Sequence, residues 1–588
     1  MAVTNVEPRS PRGPSALFSG VVVLAVIVIA ALALTARQPP PPQIAEFAPQ
    51  AQHQITHAPI QQTTSVGSGA GGGGGAHGLG SCRGCLPKKP TPSSPPPPIY
   101  APAAHHCFGD PPVQIPTDTQ GPPCVAYWTG NNGGSTYWGV TPTEVDVAVP
   151  NAGVIGPNQA SIPQRIVDDL SSFFNRYFEF YGRHIRIKLT PNLPSGGNGC
   201  ANQQAYVDQL HQDKFLAATD PGTTDDDCFT AEGARQKMIT SARLHSAAPD
   251  LTSAVLRRLA PYAWSYEMPA DQQFAAVGHF ICSQWAGRNA SYSTDPTLAQ
   301  SKRKFGLMFS YNDDYYPVQP DIDAIVASMA ACGAKFADVE KYNYVNARQS
   351  NSNTAGEALT QWAQQAASRM KAAGITTVVA ACIAWPSCNP YPEGANSQNY
   401  FPEWLLADSG VPFNATVKLG WAQSSERTSL FELVPAPSQV PYPEMPLNRA
   451  LNLVDPGFQI NQGLYATGDT TVYQQLLLIA AGIQMAGPNL TPQTFARGLQ
   501  QARFPNPYSP EMEGIVGFGR QNYAMTTDFF LSWWSDSAPV VYADEGNGGW
   551  CYVGGGKRFT AATLQETKSQ LLPSTLASAP CVATPRGP

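Results

Sequence analysis

IPQRIVDDLSSFFNRYFEFYGRHIRIKLT, Ile162–Thr190, changes its period partway along. Ile162, Ile166, Leu170, Phe173, Phe174 and Tyr177 recur at spacings of three and four, which puts them on one helix face, and Gly182 is suited to the C-cap. From His184 the alternation has period two, the mark of a strand. Just upstream, GVTPTEVDVAVP, Gly139–Pro150, alternates into a strand over Val145–Val149. Strand, helix and strand in that order predict two parallel strands joined by a helical crossover.

The rhythm continues outward. QQAYVDQLHQ reads as helix, KFLAATD as strand and FTAEGARQKMITSARL as helix, all before Pro261. After YAWSYEMPADQQ, Tyr262–Gln273, it restarts with helix Gln272–Trp285, strand Lys304–Tyr311, helix Asp321–Cys332, strand Phe336–Tyr342 and helix Gly356–Gly374. ITTVVAACIAW, Ile375–Trp385, is a continuous apolar run of the kind a strand covered on both faces can hide. A helix at NYFPEWLLADSG and the apolar stretch SLFELVP follow. Strict alternation of strand and helix argues for an α/β fold with parallel sheets, and two such series in one chain imply two lobes with a cleft between them.

The N-terminal part has another texture. ALFSGVVVLAVIVIAALALTA, Ala16–Ala36, is uncharged over 21 residues, close to the roughly 20 that span a bilayer. Arg9 and Arg12 before it leave the N-terminus cytoplasmic and the rest of the chain outside. Ala31-Leu32-Ala33 resembles a signal cleavage site, but the run exceeds a signal-peptide core, which favours an uncleaved anchor. From Gln38 to about Tyr100, stretches such as SGAGGGGGAHGLG and PTPSSPPPP cannot pack, and read as a disordered tether. Treated as a coil of about 60 residues, it reaches roughly 45 Å.

Twelve cysteines fit an oxidising exterior. Local pairs are expected, namely Cys107 with Cys124, Cys200 with Cys228, Cys382 with Cys388 and Cys551 with Cys581. Cys82 and Cys85 have redox or zinc spacing but sit in the Gly/Pro linker without a second ligand pair, so a disulfide within or between chains is the plainer reading. The net charge of −6 comes with no basic stripe, which excludes nucleic acid as a partner. The nine histidines show no metal-ligand spacing, and no nucleophile elbow, phosphate loop or paired-carboxylate signature is present. No cofactor, metal or catalytic residue is therefore expected.

GVTPTEVDVAVP, the helix after it and YGRHIRIKLTP together resemble the opening of the type I periplasmic binding proteins, the extracellular ligand-binding subunits of branched-chain amino acid ABC importers. Members carry Gly-Val-Thr before the first strand, then Gly-Arg-x-Ile-x-Leu, matched here by Gly182, Arg183, Ile185, Arg186 and Ile187, with Leu189 displaced by one. The first strand of their second lobe ends in Tyr-Asp-Asp-x-x-Tyr-Gly, which resembles Tyr311, Asn312, Asp313, Asp314, Tyr315, Tyr316 and Pro317 in RKFGLMFSYNDDYYP. The resemblance runs from about Gly139 to Tyr523. It implies two doubly wound, Rossmann-like lobes joined by a three-crossing hinge, with ligand held where strand carboxyl ends face each other. The implied bounds are a cytoplasmic N-terminus 1–15, anchor 16–36, linker 37–100, first lobe 101–265, second lobe 266–437, first-lobe return and closing strands 438–537, and an irregular tail 538–588.

By that resemblance Tyr316 is a ligand-contacting tyrosine, Tyr311 walls the cleft, and Asp313 or Asp314 meets a ligand ammonium or, alternatively, caps a turn. Thr219, Thr223 and Thr224 lie where the family has a Ser/Thr loop opening a helix whose free N–H groups hold a carboxylate. Asp225, Asp226 and Asp227 depart from that pattern and oppose an acidic ligand. Trp385 ends the most buried strand and could floor the site. Trp264 and Tyr266 read as a hinge cover, and Trp533 and Trp534 as packing. TVYQQLLLIAAGIQMAG, Thr471–Gly487, matches a helix returning to the first lobe and reads as core. The implied function is extracellular binding of a small polar organic ligand, amino acid-like or related, for an ABC permease, without catalysis. The alternative is a membrane-tethered envelope sensor or interaction scaffold.

Overall fold

The computed structural model describes residues 112–115, 118, 120–150, 164–191, 200–220, 226–242, 251–311, 318–343, 352–381, 389–407, 417, 427–435, 438–458, 460, 463–505, 514–539, 541, 548–576 and 579–584. All belong to one unit, His77–Pro588, and the expected anchor 16–36 and tether lie outside the described residues. Among the described residues no helix is long and apolar enough to cross a membrane.

The first lobe opens with β1 (Glu144–Pro150), α1 (Gln164–Tyr177), β2 (His184–Thr190), α2 (Cys200–Gln212), β3 (Ala217–Thr219), α3 (Asp226–Arg235), β4 (Ile239–Ala242), α4 (Ser253–Leu259) and β5 (Ala263–Ser265). Its sheet runs β2-β1-β3-β4-β5, parallel throughout. The strand period of two divides β1 between two cores. Val145, Val147 and Val149 meet Ile166, Leu170, Phe173 and Phe174 of α1 on one face. Ala148 meets Tyr206, Val207 and Leu210 of α2 and Phe229 of α3 on the other. A helix layer on each face and this strand order make the sheet doubly wound.

Two strands here were not expected. FTAEGARQKMITSARL is not one helix. Helix α3 ends at Arg235, Lys237 turns the chain with φ of 60°, and Ile239–Ala242 enter the sheet. β5 lies where only a hinge crossing was anticipated. Both strands are short and wholly buried, so neither shows the alternation by which a strand is recognised.

The second lobe repeats the plan. It contains α5 (Ala270–Phe280), continuing as a π turn over Ile281–Trp285, then α6 (Pro296–Gln300), β6 (Phe305–Tyr311), α7 (Gln319–Ala330), β7 (Phe336–Asn343), α8 (Ser352–Ala372), β8 (Thr377–Ala381), α9 (Pro390–Ser397), β9 (Glu403–Leu406) and β10 (Leu430–Val434). These strands lie in the order β7-β6-β8-β9-β10, again parallel. Residues 399–407 of NYFPEWLLADSG are not helical: α9 stops at Ser397, Asn399 adopts φ of 48°, and EWLL forms β9. Glu403 is tolerated inside the sheet because Arg303 binds it at 2.7 and 2.8 Å.

The chain then returns to the first lobe as α10 (Pro446–Asn452), α11 (Gly463–Ala486) and α12 (Pro492–Gln501). Tyr473, Leu476, Leu477 and Ile483 of α11 share a core with Val147 and Phe173, as expected for a core helix. A last crossing returns it to the second lobe, where β11 (Phe529–Ser535) pairs antiparallel with β10, and β12 (Gly549–Tyr552) and β13 (Arg558–Phe559) pair antiparallel with β11. Helix α13 (Ala561–Glu566) packs on α5. The residues after 538, expected to be irregular, thus extend the second sheet. Trp533 and Trp534 are buried on opposite faces of it.

Disulfides join Cys200 to Cys228 and Cys551 to Cys581, as expected, and Cys282 to Cys332, which was not foreseen. Cys124 is disulfide-bonded too. Cys107, Cys382 and Cys388 lie outside the described residues.

Candidate ligand-binding site

In a doubly wound sheet the connections that follow two neighbouring strands leave to opposite faces where the strand order reverses, which opens a crevice outside the strand carboxyl ends. That switch point falls between β1 and β3 in the first lobe and between β6 and β8 in the second. Thr219 is the last residue of β3 and Tyr311 the last of β6, so two expected site residues stand at the two switch points. Tyr316, Asp313, Asp314, Thr223, Thr224 and Trp385 lie outside the described residues.

Thr219 is fully buried and its Oγ1 has no hydrogen-bond partner among the described residues. Its register partner across the parallel ladder is Ser241 of β4, whose Oγ is equally unmet. Paired residues in a parallel sheet point to the same face, so the two hydroxyls lie side by side. They share the face of Ala217 and Ile239, which packs on α11. The adjoining backbone is held firmly: the N–H of Asp220 donates to Gln475 Oε1 of α11 at 2.6 Å and to the Ser241 carbonyl at 3.0 Å.

In the second lobe Ser310, next to last in β6, is buried with its Oγ unmet among the described residues. Tyr311 points to the opposite face and is half-buried. Its ring lies 5.9 Å from Phe309 and has the Lys341 ammonium 5.9 Å from its centroid. Ser241, Ser310 and Gln475 were not singled out from the sequence. A small hydroxyl residue at the last or next-to-last place of a buried strand is the signal that marks the first two.

Buried hydroxyls without partners cost free energy in the empty protein, about 1–3 kcal/mol each. Each can donate and accept, so they suit a polar ligand. No group of three or more acidic, histidine or cysteine side chains suited to a metal occurs among the described residues.

The strand ends are carried on a hinge whose crossings are bonded to one another. Ser265 and Tyr266 in the first crossing exchange hydrogen bonds with Tyr523, Met525 and Thr526 in the third, at 2.8 to 3.1 Å. Trp264 is buried here against Phe495, Phe518 and Tyr523, which makes it hinge packing. Arg558 ties the second crossing to the third. It donates to the carbonyls of Pro435 and Asp528 at 2.7 and 3.0 Å, and its Nε lies 3.1 Å from the Asp528 carboxylate.

No family model matches the chain, and no curated protein matches it. Solved structures do. A substrate-binding protein of an ABC transporter from Aeropyrum pernix matches at 11% identity and a TM-score of 0.47, over 72% of this chain and 100% of its own. A leucine-, isoleucine-, valine-, threonine- and alanine-binding protein from Brucella ovis, in a closed conformation, matches at 11% identity and 0.47, over 74% and 98%. A solute-binding protein of an ABC transporter from Rhodopseudomonas palustris HaA2, in complex with p-hydroxybenzoic acid, matches at 12% identity and 0.45, over 67% and 93%.

Proposed function

We propose that the chain is a solute-binding protein of the type I periplasmic fold, closing two lobes on a small polar organic ligand and presenting it to an ABC permease outside the membrane. One observation carries this reading. Two sheets with the same doubly wound order are linked by three crossings, and the switch-point strand of each ends in a buried hydroxyl that no described residue satisfies. A ligand supplying the missing partners would release that cost on closure, which is a differential affinity for the closed state.

Thr219, Ser241 and Ser310 would bond the polar part of the ligand, and Tyr311 with Tyr316 would wall its apolar part. Asp313 or Asp314 would take an ammonium, Thr223 and Thr224 would line the facing loop, and Trp385 would form the floor. The N-terminal apolar segment would hold the domain at the membrane surface, and the tether would let it reach a permease.

The test is to purify the full chain from its native membrane, wash it extensively, unfold it and identify small molecules released. Release of one polar organic compound in stoichiometric amount, which then rebinds to refolded protein, is the expected result. Protein that releases nothing and binds no member of an amino acid and organic acid panel would point to the sensor or scaffold reading instead.

A further inference from the structure

At the amino ends of the second-lobe strands, roughly 20 Å along β6 from Tyr311, a cavity of about 130 Å³ opens between the π turn and the C-terminal segment. π turns are rare and are found frequently at functional sites. Here the turn places Trp285 in the cavity wall. Tyr292 forms part of the wall too, and Gln570 and Leu572 close it from the C-terminal segment. That segment is fastened: Gln284 Nε2 donates to the Ser569 carbonyl at 3.2 Å, the Leu571 N–H donates to Gln284 Oε1 at 2.8 Å, and the Tyr292 hydroxyl donates to the Pro573 carbonyl at 2.7 Å.

Two arginines line the cavity, Arg288 and Arg303. Arg303 is neutralised by Glu403, and its guanidinium lies 4.7 Å from the Trp285 ring centroid. Glu403 is saturated, because it also accepts from Thr377 Oγ1 at 2.7 Å and from the Tyr292 N–H at 3.0 Å. Arg288 is half-buried and has no carboxylate partner among the described residues. The indole Nε1 of Trp285 is buried and has no acceptor among the described residues. The lining therefore includes one cation without a carboxylate partner and one N–H donor without an acceptor among the described residues; Asn289, Ser291 and Gln570 add polar groups, and Tyr292 and Leu572 are its apolar part. At about 30 Å³ per water, its volume corresponds to about four waters. That is room for a carboxylate head and a short carbon chain.

We propose that this cavity binds a small organic monoanion, a short-chain carboxylate, at a site separate from the strand-end crevice. The carboxylate would accept from Arg288 and Trp285 Nε1, and its alkyl part would lie against Tyr292 and Leu572. Because the C-terminal segment supplies one wall, occupancy would also pin that segment to the π turn. The proposal does not depend on the crevice having a ligand of its own.

Isothermal titration of the full chain with sodium propionate, and in parallel with inorganic phosphate, tests it. Propionate should bind, Arg288→Gln should weaken it by about tenfold or more, and Trp285→Phe should weaken it several-fold. Arg288 is partly exposed, so its variant keeps the fold, and the melting temperature checks this for Trp285→Phe. Propionate binding that Arg288→Gln leaves unchanged would place the anion elsewhere and overturn the proposal. So would the absence of binding by either anion up to about 10 mM. Phosphate binding in place of propionate would overturn the carboxylate assignment.

Discussion

Thr219 ends β3 next to the firmly bonded Asp220 N–H, with its hydroxyl unmet among the described residues. Thr219→Val keeps the shape and removes the stranded hydroxyl. The empty protein should therefore gain about 1 kcal/mol in urea denaturation, while affinity for the native ligand falls about tenfold. A variant that loses stability and binds normally would show the hydroxyl to be structural. His279 makes a prediction about acid. Burial holds its imidazole below the ordinary value of 6.5, and a ring nitrogen lies 2.6 Å from Gln565 Nε2 of α13. Below pH 6.5 the unfolded chain takes up a proton that the folded chain resists, so this group lowers stability as pH falls. His279→Gln should remove that component. The melting temperature of the variant should decline less than that of the parent between pH 7 and pH 5, and equal declines would count against the assignment. Glu179 and Asp169 are raised by burial and act in the opposite sense, but they cancel in the comparison.

At the scale of elements, long periodic segments declared themselves, and of the three- and four-residue buried strands only β3, within KFLAATD, did. Helix α1 and strands β1, β2 and β6 follow the sequence pattern within a few residues. β4, β5 and β9 were missed because a three- or four-residue strand covered on both faces has no polar side to alternate with. Glu403 made this worse by placing a charge where Arg303, distant in sequence, compensates it. The site was legible only as far as strand ends. Tyr311 and Thr219 could be read as termini of apolar runs, whereas the pairing of Thr219 with Ser241 depends on strand order, which one sequence does not display. Helix packing also gives a test. Gly498 of α12 lies so close to α11 that a Cβ would stand 2.3 Å from the Met485 carbonyl oxygen. Backbone cannot swing aside as a side chain can. Gly498→Ala should cost about 1–3 kcal/mol despite the higher helix propensity of alanine, measured by urea denaturation. Neutral or stabilising behaviour would mean that the two helices can separate freely.

For the whole molecule, the hinge is as much a matter of Arg558 as of the three crossings. Its side chain and that of Asp528 are almost completely buried, and it bonds the last crossing to the residue that follows β10. Arg558→Met leaves the Asp528 carboxylate without its cation and should destabilise the fold by about 3–5 kcal/mol. Arg558→Met with Asp528→Asn should recover part of that loss. If the single variant melts like the parent, the buried pair is not what ties the crossings. The interleaving of the lobes has a further consequence, for the order of events at birth. β10 is an inner strand of the finished sheet, flanked by β9 and β11, but α10, α11 and α12 are all synthesised between β10 and β11. Until β11 emerges, one side of β10 is an open edge able to template pairing with a neighbouring chain. A ribosome or export channel delivering this protein therefore exposes a sticky half-sheet for the time needed to make three helices. Growing chains held at that length should be the ones that chaperones seize and that aggregate most readily.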